Sequence, residues 1–401
     1  MNSQEMIRKI ARPTDSKIVM LVIDGLGGLP LPETGLTELE TARTPNLDKL
    51  AAGAVSGLID PVAPGITPGS APGHLALFGY DPVGCIIGRG ALEALGIDFK
   101  LQPGDVAARG NFATVDSRGV ITDRRAGRLS TEQNSKLAKM LDRKTIEGVE
   151  VIVRTVKEHR LAVIFRGQGL ADEVGDSDPQ QTGVAPLEVT ALNQAAQKTA
   201  AIANRFLAQA GETLANHHPA NTVLLRGFSV KPEHATMAEN YKLKAAAIAS
   251  YPMYRGLARV VGMDVLPTGT SFEGEIETLK QNYDKYNFFF VHIKAADEAG
   301  EDGDFAAKVD VLERIDGALG GLTGLAPDVL VVTGDHSTPA RLRGHSWHPV
   351  PVLISSQWCR PDGVKSFSES ACISGGLGRQ PAKAIMPLAM ANALKLNKFG
   401  A

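Results

Sequence analysis

Val329-Leu330-Val331-Val332-Thr333-Gly334-Asp335-His336-Ser337-Thr338-Pro339 opens with a short apolar, largely β-branched run and stops at Gly-Asp-His. Such a run reads as a buried strand that carries a carboxylate and an imidazole to the edge of a sheet, where open α/β folds place their chemistry. A few residues on, Gly344-His345-Ser346-Trp347-His348-Pro349 adds two more histidines. A single Asp-His pair would be read as a capped turn beside an ordinary loop histidine. Three histidines and an aspartate inside one short Gly/Pro-bounded segment point instead to metal ligands.

Two further apolar runs end in the same way. Ile18-Val19-Met20-Leu21-Val22-Ile23 lacks polar alternation, as a parallel strand buried on both faces should, and it stops at Asp24-Gly25-Leu26-Gly27-Gly28. The dinucleotide-binding spacing G-x-G-x-x-G fails there because Pro30 stands at the last position, and Pro30 and Pro32 deny the helix that would cradle a pyrophosphate. Asp24 therefore reads better as a cation ligand than as a turn cap. Asn287-Phe288-Phe289-Phe290-Val291-His292-Ile293 forms the third run and delivers Lys294-Ala295-Ala296-Asp297. Oxygen ligands mixed with imidazole suit a pair of divalent ions such as Mn²⁺ or Zn²⁺, with Mg²⁺ less suited where histidine is abundant. Ser70 or Thr67, in the Pro/Gly-dense loop before an apolar helix near His74, can present a hydroxyl where helix N–H groups favour phosphate; the plainer alternative is a surface loop with Ser70 as a cap.

At 401 residues the chain is long for one core, so two domains or one domain with a large insertion are expected. From about Asp105 short strand-like runs (149–155, 161–165, 222–226) and an alanine-rich helix from Val189 to Ala210 alternate with basic residues. This predicts a core of 1–104 and 239–401 interrupted by a substrate-binding α/β domain over 105–238. After the insertion, 243–249 reads as a short helix or strand and Tyr254-Arg255-Gly256 as a turn. Arg109, Arg124, Arg125 and Arg128 suit bidentate recognition of phosphate or carboxylate, with Arg226 and Arg255 as weaker candidates.

Composition, 43% hydrophobic and 21% charged, is that of a soluble globular protein. A net charge of −2 gives no electrostatic case for nucleic acid or a membrane surface, and no apolar run is long enough to span a bilayer. Three cysteines without C-x-x-C spacing and an N-terminus without an apolar signal core fit a reducing, cytoplasmic setting. A homo-oligomer is compatible with all of this.

Taken together, Val-Ile-Asp24-Gly-Leu-Gly, Thr44-Pro-Asn-Leu-Asp48, Thr67-Pro-Gly-Ser70 through His74-Leu, Phe78-Gly-Tyr-Asp-Pro82, Gly88-Arg-Gly, Arg109-Gly-Asn-Phe-Ala-Thr114, Asp123-Arg-Arg-Ala-Gly-Arg128, Thr333-Gly-Asp-His336-Ser-Thr-Pro and His345-Ser resemble the archaeal-type cofactor-independent phosphoglycerate mutases of the alkaline phosphatase superfamily. The resemblance runs over nearly the whole chain. It implies an alkaline-phosphatase-like core with a mostly parallel sheet flanked by helices, plus a smaller inserted α/β domain. The implied activity is the glycolytic interconversion of 2- and 3-phosphoglycerate, small phosphorylated hydroxy acids, without added 2,3-bisphosphoglycerate. Ser70 would be the serine that is transiently phosphorylated and would share one metal with Asp24, Asp335 and His336. Asp297, Glu301 and His345 would hold the second, and Asp123 with the arginines would meet the substrate. Glu301 stands where the family commonly has histidine, which tilts preference toward Mn²⁺ or Mg²⁺, and Ala71 stands where an aspartate often follows the nucleophile. The alternatives are a metal-dependent phosphomonoesterase or phosphonate hydrolase of the same superfamily, and a catalytically silent metal-binding protein.

Overall fold

The computed structural model describes residues 3–400. The chain divides into two compact units, one made of residues up to 86, 235–251 and 261 onward, the other of 87–234 and 252–260. The borders expected from sequence lay at 104/105 and 238/239. The difference comes from two helices, Arg89–Gly96 and Pro252–Val260, which pack on each other and group with the inserted sheet.

The first unit is built on an eight-stranded sheet in the order Asp264–Val265, Ala245–Ile248, Phe288–Ile293, Ile18–Ile23, Val329–Thr333, Val350–Ser356, Val55–Asp60, Gly378–Pro381. All neighbouring strands pair parallel except those on either side of Val350–Ser356, which runs against the rest. This is the mostly parallel, helix-flanked sheet expected. The strands formed by the three runs singled out in the sequence lie side by side at its centre, and every residue of Ile18–Ile23, Phe288–Ile293 and Val329–Thr333 is buried. That burial on both faces is why the runs are uninterruptedly apolar. Their ends are level: Val22 pairs with His292 on one side and with Thr333 on the other. The residues that follow, Asp24, Lys294 and Gly334-Asp335, therefore emerge at one edge. The segment read as helix or strand is the strand Ala245–Ile248.

The second unit carries a six-stranded antiparallel sheet, Ile121–Asp123, Val106–Val115, Arg160–Arg166, Val149–Lys157 and Lys144–Ile146 in order, with Thr222–Val230 also paired to Val106–Val115. Helices Thr131–Leu141 and Gln197–Leu214 cover its core, where Phe165 packs against Phe206 and Phe228. Two sequence expectations are corrected in this unit. The alanine-rich helix starts at Gln197, after a 3₁₀ turn at Gln194–Ala196, and runs to Leu214. Val189 is held outside the helix by the Asn204 side chain, which bonds both its N–H and its C=O, and Asn193 caps the turn. Tyr254-Arg255-Gly256 is helical: a Cβ on Gly256 would sit 2.2 Å from Leu92 O, so the glycine serves close helix packing and not a turn.

Glu275, in the helix Phe272–Asn282, is 2% exposed and its Oε2 has no hydrogen-bond partner among the described residues. Burial pushes its carboxyl up to about 9 from an ordinary 4.5. Because the fold holds the proton that the unfolded chain releases, stability falls as pH rises between those values. Glu275→Gln should remove that slope, gaining on the order of 1 kcal/mol or more over the parent as pH goes from about 5 to about 8 in urea unfolding. Parallel curves for the two proteins would refute the assignment.

Candidate metal centre

Asp24, Asp335 and His336 are fully buried and present ligand atoms within 4.8 Å of one another. His336 Nε2 lies 3.3 Å from Asp24 Oδ1 and 3.1 Å from Asp335 Oδ2. The same nitrogen is 3.3 Å from Ser70 Oγ. Asp335 Oδ1 accepts from Gly25 N–H. Asp24 Oδ1 and Asp335 Oδ2 accept no well-directed hydrogen bond among the described residues, although His74 Nδ1 lies 3.1 Å from the latter. A buried carboxylate oxygen without a donor, as Asp24 Oδ1 is among the described residues, is costly unless a cation meets it, so this donor set fits a divalent ion.

Ser70 opens the helix Ser70–Leu77, with Gly69 as its cap, so it lies at the helix's N-terminal end, where the N–H groups of Ser70 and Ala71 have no intrahelical acceptor. The helix can approach because Gly73 has no side chain: a Cβ there would be 2.2 Å from Asp335 O.

A second group, Asp297, His336 and His345, shares His336 with the first. His336 Nδ1 and His345 Nε2 lie 3.9 and 3.7 Å from Asp297 Oδ1. The imidazoles stack with centroids 3.6 Å apart. His345 Nδ1 is 2.9 Å from Pro68 O, a carbonyl that can only accept, so Nδ1 carries the proton and Nε2 turns its lone pair toward Asp297. Glu301 follows Asp297 by one turn of the helix Ala295–Asp302 and reaches to 3.8 Å from His345 Nε2, but its side chain is 54% exposed and stands at the rim. His348 stacks on Trp347 and bonds Ser346 Oγ, outside both groups.

Around these ligands lie groups that sequence reading missed or left open. Lys294 contacts Asp24 Oδ2 at 3.2 Å and also pairs with Asp297. Its position between a buried strand and the helix that carries Asp297 was the available signal. His292 Nε2 is 3.1 Å from Asp24 Oδ2, and His74 bonds Ser70 O as well as facing Asp335. Burial raises the cost of charge on Asp24, yet Lys294 and the His292 hydrogen bond hold its carboxyl well below the usual range. Burial and then the charge of Asp24 push Asp335 up to about 6. Burial keeps His336 well below its ordinary value, hence neutral, the form that binds cations. Lys294 is raised because Asp24 and Asp297 outweigh its desolvation.

The candidate substrate residues all belong to the second unit. Arg109 and Arg226 sit directly opposite each other on paired strands. Like charges so placed repel; Arg109 Nε lies 3.5 Å from Glu93 Oε1 and Arg226 donates to Gln180 Oε1, while neither Nε makes a well-directed hydrogen bond among the described residues. Burial, with repulsion from Arg226, Arg160 and Arg89 only partly answered by Glu93, lowers Arg109 to about 10. Burial and the nearby Arg160, Arg109, Arg125 and Arg128 hold His159 down to about 4. Arg89 and Arg160 thus join the basic cluster, though neither stood out as a site residue in the sequence. Other candidates are engaged structurally. Arg124 forms a two-pronged pair with Asp178, whose side chain is 1% exposed. Arg255 pairs with Asp98, and Asp123 accepts from Arg125 N–H and Gly127 N–H to shape its own turn.

Comparison with known proteins gives a consistent set of relatives. The family model described as 2,3-bisphosphoglycerate-independent phosphoglycerate mutase matches residues 51–221. A Thermus thermophilus protein named a probable 2,3-bisphosphoglycerate-independent phosphoglycerate mutase is 50% identical over 403 residues, covering 99% of each chain. A solved structure of a Pyrococcus horikoshii protein is 30% identical with a TM-score of 0.84, covering 97% of this chain and 100% of that one. The cofactor-independent phosphoglycerate mutase of Thermoplasma acidophilum is 32% identical with a TM-score of 0.72, covering 94% of this chain and 100% of that one.

Two outcomes are expected. Asp297→Asn should leave the Asp24, Asp335 and His336 group intact and lower the metal bound per chain relative to the parent, read by elemental analysis. Arg124→Met should leave Asp178 buried without its partner and cost about 3 kcal/mol in denaturant unfolding.

Proposed function

The chain belongs to the 2,3-bisphosphoglycerate-independent phosphoglycerate mutase family, and on that premise we propose that it interconverts 2- and 3-phosphoglycerate through a phosphoserine on Ser70, at a centre for two divalent ions. The observation that carries this reading is the pair of three-residue ligand groups sharing His336, with Ser70 Oγ 3.3 Å from that imidazole. Asp24, Asp335, His336 and Ser70 would hold one ion, and Asp297, His345 and Glu301 the other. Bound there, the ions would supply a lowered serine pKa and charge neutralisation on the phosphoryl oxygens. Ligand chemistry favours Mn²⁺, since carboxylates outnumber imidazoles; Zn²⁺ and Mg²⁺ are the other candidates.

In the proposed cycle Ser70 Oγ forms a bond to phosphorus as the bond from phosphorus to the glycerate oxygen breaks, and that oxygen takes up the proton Ser70 gives up. The glycerate turns without leaving, and its other hydroxyl takes the phosphoryl group back in the reverse exchange. Because the enzyme's own serine carries the group between the two positions, no bisphosphorylated cofactor is required. Lys294 answers the charge of Asp24 and Asp297, and the N–H groups of Ser70 and Ala71 at the start of the Ser70 helix would favour the phosphoryl oxygens. Arg109, Arg226 and the arginines beside them are the groups proposed to recognise the anionic ends of the substrate.

Metal-loaded protein given 3-phosphoglycerate should produce 2-phosphoglycerate without inorganic phosphate, followed by ³¹P NMR. Ser70→Ala should lower kcat by about 10⁴-fold or more. Dominant phosphate release would replace the mutase with a hydrolase, and an unaffected Ser70→Ala rate would remove the phosphoserine.

A further inference from the structure

We infer that the Thr338 hydroxyl decides which of the two cation sites His336 serves, an inference that rests on the metal-centre reading. His336 is the one residue common to both ligand groups, with Nε2 toward Asp24, Asp335 and Ser70 and Nδ1 toward Asp297. A neutral imidazole has one lone pair and one N–H, so it can ligate on one side only. Thr338 Oγ1 lies 2.6 Å from Asp297 Oδ1 and 2.9 Å from His336 Nδ1. A carboxylate oxygen only accepts, so the single hydroxyl proton goes to Asp297, and the hydroxyl oxygen must accept from His336 Nδ1–H. The lone pair then stands on Nε2, beside Ser70.

The hydroxyl has little freedom to do otherwise. A Cβ on Gly25 would sit 2.7 Å from Thr338 Oγ1, and one on Gly300 would sit 2.2 Å from Thr338 O, so both glycines exist to let this residue in. Lys308, fully buried, donates to Thr338 O at 2.9 Å and to Gly27 O at 3.0 Å, fastening the segment from behind. Thr338 is therefore a positioning residue. With His336 committed to the Ser70 side, the other site keeps Asp297 and His345 and needs a third protein ligand. Glu301, 3.8 Å from His345 Nε2, is the group placed to supply it.

The test is ¹⁵N NMR of histidine-labelled, metal-free full-length protein, with the His336 signal assigned by its loss in His336→Asn, alongside calorimetric Mn²⁺ titration. The parent and Thr338→Ser should show the Nδ1–H tautomer. Thr338→Val, of like shape without the hydroxyl, should shift toward Nε2–H and lose about 10- to 100-fold in affinity at one of two Mn²⁺ sites, with Thr338→Ser restoring it. A parent in the Nε2–H form, or a Thr338→Val protein unchanged in both tautomer and affinity, overturns the inference. A parent that binds no Mn²⁺ defeats the metal-centre reading instead, while its tautomer still decides the role of Thr338. Should Thr338→Val fail to fold, the parent and serine spectra alone carry the decision.

Discussion

Three buried carboxylates, Asp24, Asp297 and Asp335, are brought together by the strand ends and the helix that carry them, and the basic groups around them answer their charge. Like charges about 4 Å apart repel by several kcal/mol even at a moderate effective dielectric. Lys294 answers Asp24 and Asp297 directly, His292 hydrogen-bonds Asp24, and His74 stands against Asp335. The result is unequal: Asp24 is held ionised while Asp335 is pushed upward. The imbalance sits beside His336, whose Nε2 lies 3.1 Å from Asp335 Oδ2 and 3.3 Å from Ser70 Oγ.

The strands and their order of use were legible because full burial leaves a strong mark: Ile18–Ile23, Phe288–Ile293 and Val329–Thr333 read as uninterrupted apolar runs. Their mutual adjacency was not, since nothing local in the sequence says that residue 22 pairs with 292 and 333. The candidate ligands stand at strand ends, and the resemblance to the family carried the proposed division between two ions and the proposed place of Glu301. Lys294 and Thr338 escaped notice because a lysine and a threonine beside a conspicuous aspartate or histidine look like solvated neighbours; only their geometry shows the contacts they make. Helix limits failed where a side chain overrode propensity, as Asn204 does for Val189, and where glycine served packing, as at Gly256.

The two units handle charge in opposite ways. In the first, acids converge and cations are called for; in the second, Arg109 and Arg226 face each other across paired strands with Arg89 and Arg160 close by. Arg124 shows that position in a basic run does not decide the matter, because its guanidinium is already spent on Asp178.

The central strand of the main sheet also has a history imposed by the order of synthesis. Ile18–Ile23 is flanked by strands that appear only after the whole second unit has been made; Asp24 and His292 are 268 residues apart. At ribosomal rates of about 5–20 residues per second, this apolar hexapeptide waits roughly 15–60 s for its neighbours. The second unit, whose antiparallel strands pair mostly within 87–234, can close during that interval. Ile18–Ile23 is thus open to mispairing while the chain emerges, as is Val55–Asp60, whose partners begin only at Val350.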